Sequence, residues 1–342
     1  MNKISRRNFV PMLGTALVGA SCLSLNDRML DVPNDLILPK RLKRGDTIGV
    51  CAPAGCIKDA SEIDEFVLIL KSLGFKVKIG NNVPNQYGYF SADDESRAKE
   101  FMDLVIDPSI DGIFTIRGGW GCARILEYLD FEKIKSNPKV IMGFSDFTTL
   151  LNAISTKTGL LTFHGPSGNS SWNEYSIGYI KSLLYNAEVV KYSNLSGTDA
   201  PIITYSSGKA TGQLYGGNLS VLCNLIGSKY LPDWKDKILV LEDVKEEPYR
   251  IDRMLTQLAL SNILADVRGI VLGNFRKCFA EEPERSFTLE EVFQQHFSSL
   301  NIPVYYGAQI GHTKNKFTVP IGMDVQIDAD QGTITLLHPA VR

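Results

Sequence analysis

The sequence predicts an α/β protein with an N-terminal α/β domain built on a parallel sheet and a smaller mixed α/β domain at the C-terminus. Three observations support this class. From residue 47 onwards, short apolar runs alternate with helical apolar spacing, as in parallel sheets covered by helices. The chain has 342 residues, more than one small domain needs. A segment rich in Ser, Asn, Gly and Tyr interrupts the alternation at 166–210.

The N-terminal domain is assigned to residues 45–165, where strands and helices follow in a regular order. Strands are predicted at 47–51, 76–79, 112–116 and 140–143. Helices are predicted at 61–73, 122–129 and 146–156, and a further helix ends at Val105. Ser91 and Asp94 have the spacing of a capping box at the start of that further helix.

Residues 211–342 are assigned to the C-terminal domain, whose pattern mixes helices with many short strands. Helices are predicted near 218–226, 249–260 and 289–300. Strands are predicted at 238–241, 269–273, 304–306, 325–327 and 333–337. Residues 166–210 have poor periodicity apart from a candidate helix near 177–185, so we interpret them as a connecting segment.

Residues 1–22 are typical of an export signal. Arg6 and Arg7 resemble a twin-arginine pair, and the apolar stretch after them is too short to span a bilayer. Small residues precede Cys22, which makes Cys22 a candidate for a lipid anchor; a frayed amphipathic N-terminus is the alternative. We expect an exported protein, either periplasmic or a membrane-anchored lipoprotein facing the periplasm, and a cytoplasmic one if the leader is not used. Residues 23–44 are interpreted as a linker.

The composition gives no support for a nucleic-acid-binding protein, a metalloprotein or a disulfide-rich protein. Lys and Arg number 36 and Asp and Glu number 38, and the net charge of −2 gives no electrostatic argument for nucleic acid. The sequence has no zinc-ligand spacing and no H-E-x-x-H motif, so we expect no metal and no cofactor. Five cysteines remain after Cys22, and this odd number does not indicate a disulfide framework.

Ser145 is the most informative candidate for a nucleophile. It lies in VIMGFSD at 140–146, directly after a predicted strand and directly before a predicted helix. Such a turn presents a serine at the edge of a sheet, and the N–H of Asp146 can donate to a developing oxyanion. The segment lacks the second glycine of the G-x-S-x-G elbow. The alternative is that Ser145 or Asp146 only caps the helix.

The turn RGGWG at 117–121 also follows a predicted strand and precedes a predicted helix. Its glycines allow the backbone to approach a ligand closely. This pattern fits a second oxyanion donor or a phosphate cradle. It fits equally a tight turn that has no chemical role.

A catalytic base has few candidates, because the sequence contains four histidines. His296 and His338 have the context of structural residues, whereas His164 and His312 each follow a short strand, where catalytic groups concentrate. The residues alone leave His164 and His312 equal. Glu242 ends the apolar run ILVLE, and a carboxylate there can orient an imidazole. The alternative is a strand-end charge that faces solvent.

Six motifs occur in one order along the chain. They are RGGWG at 117–121, GFSD at 143–146, FHGP at 163–166, GQLYGGNL at 212–219, LED at 241–243 with PYRIDR at 248–253, and GH at 311–312 with PIG at 320–322. From about residue 45 to the C-terminus, the chain therefore resembles the LD-carboxypeptidase family, also called muramoyltetrapeptide carboxypeptidase. That family includes the microcin C self-immunity hydrolases.

The resemblance implies a serine hydrolase site between two domains, usually in a homodimer. The implied Ser-Glu-His triad consists of Ser145, Glu242 and His312. The implied oxyanion donors are the backbone of Gly118 or Gly119 and the backbone of Asp146.

The resemblance also implies a reaction and a substrate. The expected activity is hydrolysis of an L,D bond through an acyl-enzyme, which removes terminal D-Ala from a murein tetrapeptide. An amidase of the microcin-immunity type is one alternative, and a non-catalytic protein that binds wall peptides is another. The three intact triad positions argue against the non-catalytic alternative, and the missing G-x-G-x-x-G fingerprint argues against a nucleotide-binding Rossmann-like protein.

Overall fold

The computed structural model describes residues 36–195 and 201–342. The export signal predicted at 1–22, including Cys22, lies outside these ranges, as do the linker residues before 36. Within the two described ranges, no helix has both the length and the apolar character needed to cross a membrane.

Strands and helices alternate through the described residues. The strands are β1 (Thr47–Cys51), β2 (Lys76–Ile79), β3 (Gly112–Thr115), β4 (Val140–Gly143), β5 (Thr162–His164), β6 (Lys191–Tyr192), β7 (Ile203–Ser206), β8 (Lys209–Asn218), β9 (Ile238–Val244), β10 (Gly269–Arg276), β11 (Val304–Gly311), β12 (Val319–Ile321), β13 (Asp324–Asp328) and β14 (Thr333–Leu336). The α-helices are α1 (Ser61–Ser72), α2 (Asp94–Ile106), α3 (Cys122–Ile125), α4 (Phe131–Ser136), α5 (Thr148–Thr158), α6 (Glu174–Ile180), α7 (Leu219–Cys223), α8 (Pro248–Leu260), α9 (Ile263–Asp266) and α10 (Leu289–Phe297).

The first sheet has six strands in the order β12–β5–β4–β3–β1–β2. Strands β1 to β5 run parallel, so their carboxyl ends meet at one edge. Strands β3 and β4 are buried along their whole length, as central strands of a parallel sheet are. Strand β12 comes from the C-terminal part of the chain and pairs antiparallel with β5. The last part of the chain therefore completes the first sheet.

The second sheet has eight strands in the order β6–β14–β13–β8–β9–β10–β11–β7. Its central strands β8, β9, β10 and β11 are parallel. Antiparallel strands flank them on both sides. Because β9 and β11 point the same way, residues at their carboxyl ends, such as Glu242 and His312, lie at one edge of this sheet.

The structure confirms the predicted α/β class, with a parallel-rich first sheet and a mixed second sheet. Strands β1, β2 and β4 also have the predicted bounds. The sequence prediction did not contain β6, β7, β8 or β12. Strand β8 has the sequence KATGQLYGGN, whose polar residues and glycines hide the apolar alternation that marks a strand.

The predicted capping box of Ser91 and Asp94 is wrong. Helix α2 begins after Asp93, whose carboxylate accepts a hydrogen bond from Ser96 N at 2.8 Å. Ser91 is buried and donates instead from Oγ to the carbonyl oxygen of Ala52 at 2.6 Å. Ser91 and Asp93 could each cap this helix. Ser91 is buried beside the end of β1 and bonds there, so Asp93 is the residue that caps the helix.

A buried amide joins the two sheets. Asn152 on α5 donates from Nδ2 to the carbonyl oxygen of Gly216 at 2.8 Å and accepts on Oδ1 from Gly216 N at 3.0 Å. Gly216 on β8 has a φ of +126°, and a Cβ there would lie 2.1 Å from the carbonyl oxygen of Val240. The Asn152 amide therefore satisfies both backbone groups of a residue whose conformation requires glycine.

Replacing Asn152 with alanine is expected to destabilise the whole fold. The substitution leaves the buried N–H and C=O of Gly216 without this partner, which costs about 3 kcal/mol of the free energy of unfolding. Urea denaturation measures the loss. The control is Asn85→Ala, because exposed Asn85 bonds only within its own loop, to Asn81 O at 3.1 Å. Equal losses in both variants would contradict the role assigned to Asn152.

Candidate active site

Ser145 lies on a sharp turn between β4 and α5. Its φ is +61°, a left-handed conformation that is strained for a residue with a side chain. A short 3₁₀ turn, Ser145–Phe147, leads into α5. Gly143 makes the turn sterically feasible, because a Cβ there would lie 2.2 Å from Thr115 Cγ2 and 2.6 Å from Phe147 Cδ1. The turn leaves Ser145 partly exposed while Asp146 and Phe147 are buried beneath it.

The glycine turn after β3 packs directly against Ser145. A Cβ at Gly118 would lie 2.9 Å from Ser145 Oγ and 3.4 Å from Asp146 N. Gly119 has a φ of +114°, which favours glycine. The backbone of this turn therefore lies close to both the Ser145 hydroxyl and the Asp146 N–H.

The Asp146 side chain connects the turn that contains Ser145 to the glycine turn that precedes α3. Its Oδ2 accepts a hydrogen bond from the backbone N–H of Cys122, the first residue of α3, at 2.8 Å. Burial raises the pKa of Asp146, and its Oδ1 has no hydrogen-bond partner among the described residues. The sequence interpretation considered a capping role for this residue. The carboxylate does bind a helix start, but on α3 and not on its own helix.

Glu242 and His312 form a hydrogen-bonded pair at the edge of the second sheet, in which the carboxylate is buried and the imidazole is partly exposed. Glu242 is on β9, and His312 directly follows β11. Glu242 Oε2 accepts hydrogen bonds from His312 Nδ1 at 2.7 Å and from His312 N at 3.2 Å. Gly311 has a φ of +90°, and a Cβ there would lie 2.1 Å from Glu242 Oε2. The missing side chain at Gly311 therefore makes room for the carboxylate.

The Glu242 carboxylate is charged despite its burial. Burial acts to raise its pKa, but attraction to His312 and the hydrogen bond from His312 outweigh that effect and bring the pKa below its ordinary value. Asn218 Nδ2 donates to Glu242 Oε1 at 3.2 Å and to Asp243 Oδ1 at 3.1 Å. Asn218 lies in the GQLYGGNL motif, but the sequence analysis assigned it no role. One amide thus holds two neighbouring carboxylates.

Of the two candidate histidines, His312 is the one that is hydrogen-bonded to a carboxylate. His164 is fully buried, and its Nε2 has no partner among the described residues. Burial lowers the pKa of His164 to about 4, although the nearby Glu242 charge acts in the opposite direction. The Phe144 ring packs against both imidazoles, with its centroid 4.8 Å from that of His312 and 6.0 Å from that of His164. His164 is therefore a neutral, buried neighbour of the site.

Ser145 and His312 line one cavity of about 780 Å³ between the two sheets. Gly118 and Gly119 also line it. Six cationic side chains contribute to its wall: Arg117, Lys245, Arg276, Lys277, Lys314 and Lys316. Among the described residues that line this cationic cavity, none is Asp or Glu. The cavity is therefore built for an anionic ligand.

The sequence analysis missed these cations, apart from Arg117 as part of the glycine turn. A signal was present, because Lys245 follows the LED motif and Lys314 and Lys316 follow the GH motif. Surface lysines are common, and only the fold shows which ones converge.

Comparison with known proteins identifies the class of protein and then the family. The model of the LD-carboxypeptidase N-terminal domain matches residues 48–165, and the model of the LD-carboxypeptidase C-terminal domain matches residues 211–327. The protein is therefore a hydrolase of the peptidase class. It belongs to the LD-carboxypeptidase family.

Similar proteins cover most of the chain. A probable murein peptide carboxypeptidase of Bacillus subtilis is 36% identical over 303 residues, 87% of this chain and 93% of that protein. The microcin C7 self-immunity protein MccF of Escherichia coli is 31% identical over 88% of this chain and 95% of its own. The structure of MccF with glutamyl sulfamoyl guanosine has a TM-score of 0.81 at 28% identity, covering 89% of this chain and 99% of that chain. The structure of a muramoyltetrapeptide carboxypeptidase from Oxalobacter formigenes has a TM-score of 0.74 at 31% identity, covering 85% and 97%.

The buried His164 is expected to make the fold sensitive to acid. Its pKa is about 4 in the folded protein, against 6.5 for an ordinary histidine, so the unfolded chain binds the proton first as the pH falls. The contribution is full above pH 6.5 and is lost towards pH 4. Between pH 7 and pH 5, it lowers the free energy of unfolding by about 2 kcal/mol.

Urea denaturation of the parent and of His164→Leu at pH 7 and pH 5 tests this expectation. The variant should lose less stability on acidification than the parent does. Burial raises the pKa of Asp243 to about 6, so its titration acts in the opposite direction. Asp243 is present in both proteins, and the comparison therefore isolates His164. Identical losses in the two proteins would be evidence against the assigned ionisation of His164.

Proposed function

We propose that this protein is a serine carboxypeptidase that removes terminal D-Ala from murein tetrapeptides. The observation that carries the proposal is the convergence of a serine, a carboxylate-bound histidine and six cations on one cavity. A peptide that is cut at its last residue presents a free carboxylate, which an acid-free cationic cavity can hold. The Bacillus subtilis relative is a probable murein peptide carboxypeptidase and the Oxalobacter formigenes relative a muramoyltetrapeptide carboxypeptidase, which supports murein peptides as the substrate class.

In the proposed mechanism, Ser145 Oγ attacks the carbonyl carbon of the terminal peptide bond. His312 accepts the Ser145 proton as the new C–O bond forms, and Glu242 holds the imidazole and balances its positive charge. The backbone N–H groups of Asp146 and of Gly118 or Gly119 receive the developing oxyanion. The tetrahedral intermediate then collapses, the C–N bond breaks, and His312 returns the proton to the amine of D-Ala.

A water molecule completes the proposed cycle. His312 removes a proton from the water, which attacks the acyl carbon on Ser145. The ester bond breaks, the proton returns to Ser145 Oγ, and the shortened peptide leaves as a carboxylic acid. The strained backbone of Ser145 suits this role, because strain at a turn presents the hydroxyl away from the sheet.

An amidase of the microcin-immunity type is the second candidate. The similarity to MccF favours it, and that protein has been solved with glutamyl sulfamoyl guanosine. Such a ligand has anionic character, which the cationic cavity also suits. The two candidates share the acyl-enzyme chemistry, so the leaving group distinguishes them.

Export and assembly are further proposals about this protein. The paired Arg6 and Arg7 and the apolar stretch after them support export, and the small residues before Cys22 support a lipid anchor. Membership of the family supports a homodimer. A leader of this kind would bring the active site to the compartment in which murein is located.

The first test is the release of D-Ala from purified murein tetrapeptide by the protein without residues 1–22. Ser145→Ala is expected to lower the rate by about 10⁴-fold or more, because the nucleophile is lost. Ser298→Ala is the matched control: Ser298 lies at the end of α10, where its Oγ bonds to Gln294 O at 2.6 Å. Release by Ser145→Ala at the parent rate would exclude Ser145 as the nucleophile. A folded parent that cleaves an aminoacyl sulfamoyl nucleoside but not the tetrapeptide would favour the amidase.

Glu242→Gln is expected to lower kcat by about 10⁴-fold while leaving the shape of the site intact. An amide in place of the carboxylate cannot balance the imidazolium and favours the wrong tautomer of His312. Asp243→Asn is the matched comparison, because Asp243 shares the Asn218 amide with Glu242 but otherwise accepts from the backbone of Ser220 and Val244. Its effect on kcat should be much smaller. Equal losses of kcat in the two variants would assign the effect to the Asn218 network and not to the Glu242 charge.

A further inference from the structure

Lys316 differs from the other cations of the cavity in its burial. Its side chain lies in the loop between β11 and β12 and is 4% exposed, whereas Arg276 and the other lysines of the cavity wall are exposed. Burying an ammonium group costs free energy unless an anion accompanies it. A buried lysine in a cavity wall is therefore an informative feature.

The Lys316 ammonium makes no ion pair with any residue that the structure describes. The ammonium lies over the Phe144 ring, whose centroid is 4.6 Å from Nζ. Burial lowers the pKa of Lys316 to about 8, attraction to Glu242 opposes this shift, and repulsion from Arg276 adds to it. The ammonium thus lies buried in the cavity wall, attracted by the Glu242 carboxylate but in direct contact with no anion among the described residues.

Lys316 lies near the imidazole that acts on the leaving residue. The imidazole of His312 has to reach the amine of the departing residue, because it returns the proton there. In an amino acid, the carboxyl carbon lies about 2.5 Å from the amine nitrogen. The Phe144 ring touches both groups, with its centroid 4.8 Å from the His312 ring centroid and 4.6 Å from Lys316 Nζ. Phe144 directly precedes Ser145 in the chain, and Phe144, Ser145 and Lys316 all line the same cavity, so a carboxylate near that amine comes close to the Lys316 ammonium.

We propose that the Lys316 ammonium binds the free carboxylate of the departing residue and thereby restricts cleavage to the end of a peptide. This inference rests on the carboxypeptidase function proposed above. It assigns to Lys316 the selection of an exopeptidase substrate. Arg276 and the exposed lysines would attract the anion, and the buried Lys316 would fix its position.

The test compares a tetrapeptide that has a free terminal carboxylate with the same peptide ending in an amide. The parent protein is expected to favour the acid by about 10²-fold in kcat/KM, because the amide leaves the buried ammonium without its partner. Lys316→Met should abolish most of this preference, mainly through a higher KM for the acid, and change cleavage of the amide by less than about threefold. Lys316→Arg, which keeps the charge, should restore much of the preference.

The Lys316→Met variant is expected to fold, because replacing a buried charge with an apolar side chain removes a desolvation cost. Equal losses of kcat/KM for the acid and the amide would show a purely structural role and overturn the proposal. A preference for the acid that survives in Lys316→Met would overturn it as well.

The pH dependence of the acid-to-amide ratio of kcat/KM is an independent test of the interaction between Lys316 and the carboxylate. The charged and titratable groups around Lys316 are Glu242, Arg276, His164 and His312, the last of which contacts the same Phe144 ring. The ammonium loses its proton as the pH rises through about 8, so the acid-to-amide ratio of kcat/KM should fall above that pH in the parent. In Lys316→Arg the ratio should stay constant there, because guanidinium keeps its charge. A ratio that falls equally in both proteins would assign the titration to another group.

Calorimetric binding to the Ser145→Ala protein separates this proposal from the proposed function. If the parent releases no D-Ala but Ser145→Ala binds the acid more tightly than the amide through Lys316, the carboxypeptidase function fails and the carboxylate site stands. If the parent releases D-Ala and cleaves the acid and the amide equally, the function stands and the carboxylate site fails.

Discussion

The hydrogen bond between the buried Glu242 carboxylate and His312 is the interaction on which the rest of the site depends. Burying a charged carboxylate costs free energy. Here the His312 imidazole, the His312 backbone N–H and the Asn218 amide all donate hydrogen bonds to Glu242 and offset that cost. The bond also requires Gly311, since a side chain there would occupy the position of the carboxylate. Because β9 and β11 run parallel, the two partners meet at the same edge of the sheet. Charge, topology and one glycine thus determine a single imidazole orientation.

The first sheet contributes the other half of the site, and the same physical constraint recurs there. Ser145 accepts a left-handed backbone because Gly143 and Gly118 leave no side chain in its way. The two halves face each other only if the sheets keep a fixed relation, which the Asn152 amide and the pairing of β12 with β5 maintain. The cationic cavity lies at this junction. Neither sheet alone supplies all the residues of the cavity, so the chemistry of the cavity depends on how the two sheets pack together.

Much of the first sheet could be predicted from the sequence, because β1 and β4 are continuous apolar runs bounded by turn residues. Strands β8 and β12 could not, since β8 is rich in glycine and β12 consists of three residues whose partner is distant in sequence. Ser145 was found from its position between a strand and a helix. The choice of His312 over His164 needed the family resemblance, and the structure adds its carboxylate partner. A lone lysine such as Lys316 carries no sequence signal of burial, so its role needed the fold.

The pairing of β12 with β5 also has a consequence for how the molecule is made. Residues 319–321 close an edge that β5 exposes from the moment residues 162–164 leave the ribosome. Until residues 319–321 have been made, the first sheet has an open edge that other chains can reach. Strands β6 to β11 lie between β5 and β12 in the chain, so this edge stays open while those strands are synthesised. Glu242 on β9 and His312 after β11 are also made after the first five strands. The site between the two sheets can therefore form only after the end of β11 has been synthesised.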